Sequence, residues 1–245
     1  MPDLQVFLRG GLGNQLFQYA AALYLAKRQG DQLIIRTDLL PLETDSIGKV
    51  TRWPVQITEF KFEGQIRNLG YQPKNGTHTI SKLLQAQRVL GDKNPMLLSK
   101  LGILAGEKHA RFDFSAVQKI KTVNSYCTSS APAVELGDYL RDQILQVREP
   151  SFAFQALSKE AVSLKPAMVH VRLGDYVLLK NLFGETNFDL LGEVIKKTLD
   201  SARRPLWLFS DSPNAINPQV IDGLGVTKVV GPETLNRPIE NLILM

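Results

Sequence analysis

Two short runs gather residue types suited to holding a phosphorylated ligand: Gly10-Gly11-Leu12-Gly13-Asn14-Gln15 and His170-Val171-Arg172-Leu173-Gly174-Asp175-Tyr176. In the first, glycines let the backbone approach a ligand closely, and the N–H groups that open a helix attract an anion. Asn14 adds a side-chain amide able to reach a sugar oxygen or to cap the helix. In the second, Arg172 has the planar fork that matches phosphate oxygens, with charge-assisted hydrogen bonds worth roughly 1.5–3 kcal/mol each. Gly174 leaves room for a ligand, and Asp175 serves either that ligand or Arg172 itself. His170 taken alone is more often a satisfied core histidine. A third run, Pro205 to Pro213, carries Ser210 and Asp211. A carboxylate there can accept two hydrogen bonds from a guanine edge, or cap a helix beginning near Pro213.

Each run needs an element to aim it. Leu4 to Leu8 is strand-like, and Leu16, Phe17, Ala20, Leu23 and Tyr24 recur at helical spacing up to about Gln29. Gly30 then stops the helix, and Gln32 to Arg36 is a second strand, so the chain opens with βαβ logic. Ala167 to Arg172 reads as a buried strand, Asp189 to Ser201 as a helix, Leu206 to Phe209 as a strand, followed by a helix after Pro213 and a strand at Thr227 to Val230. In such α/β sheets ligands bind beyond the carboxyl ends of the strands, where His170 and Arg172 would share one face. Between the halves, Ile80 to Leu90 and Val134 to Val147 read as helices, with a domain boundary near Pro150 to Pro166.

The chain has 245 residues, of which 44% are hydrophobic, enough for one large or two small cores. Its formal charge of +5 comes from scattered Lys and Arg, so a nucleic-acid stripe is not expected. One cysteine, Cys127, excludes an internal disulfide, and no Cys/His spacing suggests zinc. The sequence has no signal-peptide pattern and no apolar span near the roughly 20 residues of a membrane helix, which points to a cytoplasmic protein.

The run Gly10-Gly11-Leu12-Gly13-Asn14-Gln15-Leu16-Phe17-Gln18-Tyr19-Ala20 resembles the amino-terminal signature of the bacterial α-1,2-fucosyltransferases of glycosyltransferase family 11. His170 to Tyr176 is similar to the His-x-Arg-Arg-x-Asp motif shared with α-1,6- and protein O-fucosyltransferases. Phe209-Ser210-Asp211-Ser212 resembles the later Asp-containing motif, whereas about Lys49 to Pro166 carries no signature. The resemblance implies an α/β fold of GT-B type: two Rossmann-like domains with parallel sheets facing across a cleft, residues 1–155 on the acceptor side and an incomplete donor domain at 156–245. It implies an inverting, metal-independent transfer of L-fucose from GDP-fucose to a terminal galactoside, with no further cofactor. Arg172 would hold the β-phosphate, and His170 and Asp211 would contact guanine. Gly10, Gly11, Gly13 and Asn14 would lie near the pyrophosphate and fucose, with Asp175 and Ser210 also lining the donor site. A lipid-linked or lipopolysaccharide acceptor, and a peripheral location at the inner face of the membrane, are compatible with that activity.

Two departures from the motif carry expectations of their own. The second arginine is Leu173, whose side chain should turn into the protein, and the chain ends at Met245 where relatives continue. A truncated relative that binds GDP or glycan without turnover is therefore one rival. Another is an NAD(P)-dependent oxidoreductase, with Gly11 and Gly13 in a dinucleotide fingerprint and Asp38 on the ribose; its third glycine is replaced by Leu16. Spacing does not choose a general base between Asp38 and Asp45.

Overall fold

The computed structural model describes residues 2–37, 43–44, 50–51, 54–67, 77–106, 119–144, 146–174, 186–199 and 204–245. They form two compact units, Met1–Arg148 and Glu149–Met245. The helix that opens the second unit begins at Phe152.

In the amino-terminal unit, β1 (Asp3–Phe7), β2 (Gln32–Arg36), β5 (Gln65–Arg67), β6 (Ile103–Gly106) and β7 (Thr122–Ser125) make one sheet in the order β5-β2-β1-β7-β6. Every pairing in it is parallel, with Asp3 opposite Gln32 and Phe7 opposite Arg36. Two-residue strands β3 (Glu43–Thr44) and β4 (Val50–Thr51) pair separately. On one face of the central β1 Leu4 and Val6, and Leu8 just beyond the strand, are fully buried.

Helix α1 (Leu12–Gln29) joins the core of this sheet through Ala20, Ala21, Ala22, Leu23, Leu25 and Ala26, the four alanines being small enough to allow close approach. It ends where expected, at Gly30 in the left-handed region (φ +68°), with Lys27 and Arg28 complementing the dipole of its last turn. Helices α2 (Thr77–Lys93) and α3 (Pro95–Lys100) follow.

The single helix expected over Val134 to Val147 is instead broken into α4 (Ala131–Glu135), α5 (Gly137–Tyr139) and a π turn at Leu140–Ile144. The chain leaves it because its backbone finds other partners. Lys61 N–H donates to Gln146 O, Arg148 N–H donates to Glu59 O, and Phe60 bridges Val147.

The carboxyl-terminal unit holds a three-stranded parallel sheet in the order β10-β9-β8, from β8 (Ala167–Val171), β9 (Leu206–Ser210) and β10 (Val226–Val230). The middle strand β9 is buried throughout. Strand β8 lies at the edge of this sheet, so Ala167, Met168 and Val169 are half-buried rather than buried as expected.

Trp207 and Phe209 pack with Met168 against Phe154, Leu157 and Ala161 of α6 (Phe152–Leu164) and against Leu244 of α9 (Pro238–Leu244). On the other face Leu208 and Val171 meet Leu191 of α7 (Phe188–Leu199) and Val220 of α8 (Pro218–Gly223). The helix expected after Pro213 divides into a 3-10 turn at Pro213–Ala215 and then α8. At the base of the unit the fully buried Glu240 carboxylate accepts from Ser151 N–H and Ser151 Oγ–H, both at 2.7 Å, and from Arg237 at 3.1 Å.

Candidate functional site

The turn after β1 is gripped from inside by two glutamines. Gln15 and Gln18 are both fully buried, although each stands in a helix where glutamine is ordinarily solvated. Gln15 Nε2 donates to Gly10 O and to Pro54 O, each at 2.9 Å, while its Oε1 accepts from Gln56 N–H at 3.0 Å and Ile57 N–H at 3.4 Å. Gln18 closes a reciprocal pair with the main chain of Arg9: Arg9 N–H donates to Oε1 at 2.9 Å, and Nε2 donates to Arg9 O at 3.3 Å.

The glycine at position 10 has φ +69°, and a Cβ there would stand 2.5 Å from Asn14 Nδ2. The left-handed φ disfavours a side chain there, and Asn14 would have to give way to one. Gly11 occupies the N-cap of α1 without a side-chain cap, so the cap role considered for Asn14 is corrected: Asn14 lies within the first turn. Gly13 opens onto free space, and no acidic residue occupies this turn. The turn therefore presents bare N–H groups and the Asn14 amide at a carboxyl strand end, the arrangement that favours an anion.

Neighbouring groups complete the scaffold. Tyr19 is buried, its hydroxyl donating to Glu63 O at 3.3 Å and accepting from Glu63 N–H at 2.8 Å. Burial holds its phenol far above the ordinary range, so it stays protonated. Arg9, passed over in the sequence, is 6% exposed and sets its guanidinium over the Tyr126 ring, 4.9 Å from the centroid. It stands at the carboxyl ends of β1 and β7, where the strand order changes direction. Burial pushes the Cys127 thiol up to about 12, which makes it a core residue and not a nucleophile.

The second candidate group lies in the carboxyl-terminal unit. His170, paired in register with Phe209, and Arg172, one residue past β8, are both exposed. Leu173 turns its side chain onto the cluster of Val171, Leu208 and Ile216, as its replacement of a motif arginine suggests. Ser210 is buried at the end of β9, where its Oγ accepts from Ser212 N–H at 3.1 Å.

Asp211 caps no helix, because Ser212 holds the N-cap position of the following 3-10 turn. Its carboxylate reaches across to the β8 loop instead. Oδ1 accepts from Leu173 N–H at 2.8 Å and Gly174 N–H at 3.1 Å, and Oδ2 accepts from Gly174 N–H at 3.1 Å. The space beside Gly174, expected for a ligand, is filled by that carboxylate: a Cβ would stand 2.7 Å from Asp211 Oδ2. Asp175, Asp38 and Asp45 lie outside the described residues.

A shallow cavity of about 470 Å³, lined in part by Lys27, Asp31, Glu63 and Gln65, opens at the amino end of β2, away from these strand ends. Its charges are already matched, Lys27 with Glu63 at 3.1 Å and Lys119 with Asp31 at 3.3 Å. Among the described residues no group of three or more His, Cys, Asp or Glu could hold a metal ion, and no helix is long and apolar enough to cross a membrane.

No family model matches the sequence, and no curated protein does. Solved structures match the fold. The structure of NodZ α-1,6-fucosyltransferase soaked with GDP-fucose aligns with 99% of this chain and 84% of its own, at 16% identity and a TM-score of 0.50. That of fucosyltransferase NodZ from Bradyrhizobium aligns with 100% and 84%, at 16% identity and a TM-score of 0.48. The first likeness carries the fold: an α/β chain with parallel sheets, similar to a GT-B-type fucosyltransferase.

Proposed function

We propose that this chain is a glycosyltransferase that moves L-fucose from GDP-fucose to a hydroxyl of a terminal galactoside-type glycan, forming an α-1,2 linkage with inversion and without a metal. The observation that carries the reading is Arg172, an exposed guanidinium one residue beyond the carboxyl end of a parallel strand, in a chain whose fold is similar to that of a fucosyltransferase. Breaking the bond to GDP builds negative charge on the departing phosphate, and a fixed bidentate cation is the group that meets it. In this reading His170 and Ser210 belong to the nucleoside side of the donor site. The bare backbone at Gly10, Gly11 and Gly13 and the amide of Asn14 are assigned to the sugar and its diphosphate. NodZ forms an α-1,6 linkage, so the α-1,2 assignment rests on the motif resemblance. A cytoplasmic protein acting on a lipid-linked or lipopolysaccharide acceptor at the inner membrane face is the setting that suits it.

The test is incubation of the chain with radiolabelled GDP-fucose and a panel of β-galactosides, followed by linkage analysis of the product. Arg172→Ala should lower transfer by about two to three orders of magnitude at unchanged melting temperature. Undiminished transfer in that variant overturns the site, and a product of another linkage overturns the α-1,2 assignment alone. A second reading, GDP binding without turnover, is favoured by Leu173, which puts an apolar side chain where the motif has a second cation. Wild-type binding of GDP with neither transfer nor hydrolysis would select it.

A further inference from the structure

Asp211 stands where the sequence suggests a reader of the guanine edge, but its hydrogen bonds describe another task. Three N–H···O contacts from two successive amides already engage it, out of about four lone-pair positions on a carboxylate. Both oxygens are drawn into this backbone contact, Oδ1 by two amides and Oδ2 by one, which is the geometry of a fastening between β9 and the β8 loop. The two amides belong to Leu173 and Gly174, the residues immediately following Arg172. Gly174 is the partner this contact requires, since any Cβ there would collide with Asp211 Oδ2. Leu173 is anchored by its side chain on Val171, Leu208 and Ile216. On its other side Arg172 follows Val171, which is in register with Ser210. The backbone of Arg172 is thus fixed before and after the residue, and the fastening after it is Asp211.

We infer that Asp211 is a positioning residue: its carboxylate holds the Leu173–Gly174 backbone and thereby aims Arg172 at the diphosphate of a nucleotide ligand. This rests on the donor reading proposed above. The carboxylate keeps its negative charge, which by itself would repel a diphosphate, so a favourable effect on binding must come through the loop backbone that its two amide hydrogen bonds hold in place.

The sign of one measurement separates this role from the alternatives. Binding of GDP and of inorganic pyrophosphate is measured by calorimetry for the wild type, Asp211→Asn and Gly174→Ala. An asparagine keeps Oδ1, the acceptor for Leu173 and one of the two for Gly174, but it loses the charge and sets an NH₂ donor against the Gly174 N–H where Oδ2 stood. Positioning predicts that Asp211→Asn weakens both ligands by a similar factor, about tenfold, the worth of one charge-assisted hydrogen bond. Gly174→Ala should do the same, although its methyl group adds no base contact.

If GDP weakens while pyrophosphate is unchanged or tighter, Asp211 acts on the base or merely repels phosphate, and the inference falls. Unchanged binding of both ligands in Asp211→Asn also overturns it. Amide hydrogen exchange without ligand gives an independent readout. Leu173 and Gly174 should exchange faster in Asp211→Asn while β9 stays protected, and equal exchange overturns the fastening itself. A wild type that binds neither ligand overturns the donor reading and the aim at a diphosphate, leaving exchange to judge only the fastening.

Discussion

The turn after β1 and the turn after β8 both expose backbone at a carboxyl strand end, yet they are held by opposite means. The first is clamped by the buried amides of Gln15 and Gln18, sealed under the sheet and beyond the reach of solvent. The second is held by one exposed carboxylate, Asp211, against two amides of a loop. A buried amide network is satisfied only when the whole unit is folded, so the first turn is as rigid as its core. An exposed carboxylate competes with water for its partners, so the fastening of the second turn can be undone by a single substitution without opening the core.

The contrast can be broken by mutation, the largest effect being expected in the buried clamp. Gln15→Leu preserves volume but strips partners from Gly10 O, Pro54 O and the N–H groups of Gln56 and Ile57. It should cost roughly 3–5 kcal/mol, read as a shift in the denaturant midpoint of the amino-terminal unit by circular dichroism. A loss below ~1 kcal/mol would mean water replaces those partners and the turn is not sealed.

Gly10→Ala ranks next, at about 2 kcal/mol, because a left-handed φ disfavours any Cβ and Asn14 must also give way. The same experiment should show whether moving Asn14 changes GDP affinity at equal stability. Leu173→Ala should be smallest, about 1 kcal/mol for a half-buried leucine. Trp207, buried in the same unit, is the natural fluorescence reporter for it. A larger loss there would show the β8 loop to be part of the core after all.

The strands and turns that aim these groups were legible because their signals are local. Leu4 to Leu8, Gly30 and Gln32 to Arg36 declare a strand, a stop and a strand within a few residues, and the structure places β1, the end of α1 and β2 there. The buried glutamines were not legible, since Gln15 gains its partners from residues 54 to 57, far along the chain. Its only trace in the sequence was its place inside a motif read for its glycines. The sequence singles out both Gly174, as room for a ligand, and Asp211, as a guanine contact or a helix cap; that they fill one another's space is a fact of register between β8 and β9, which no spacing shows. Val134 to Val147 looked helical by apolar periodicity. There, backbone pairing with residues 59 to 61 outweighs it.

Glu240 carries a consequence for how the carboxyl-terminal unit comes apart. By taking both the amide and the hydroxyl of Ser151, its carboxylate buttons the last helix of the unit to the first turn of α6. Detachment of α6 or of α9 must first undo the same buried knot. Neither helix can peel away alone, and the unit should open in a single cooperative step, with its edge strand released only when the whole sheet is lost.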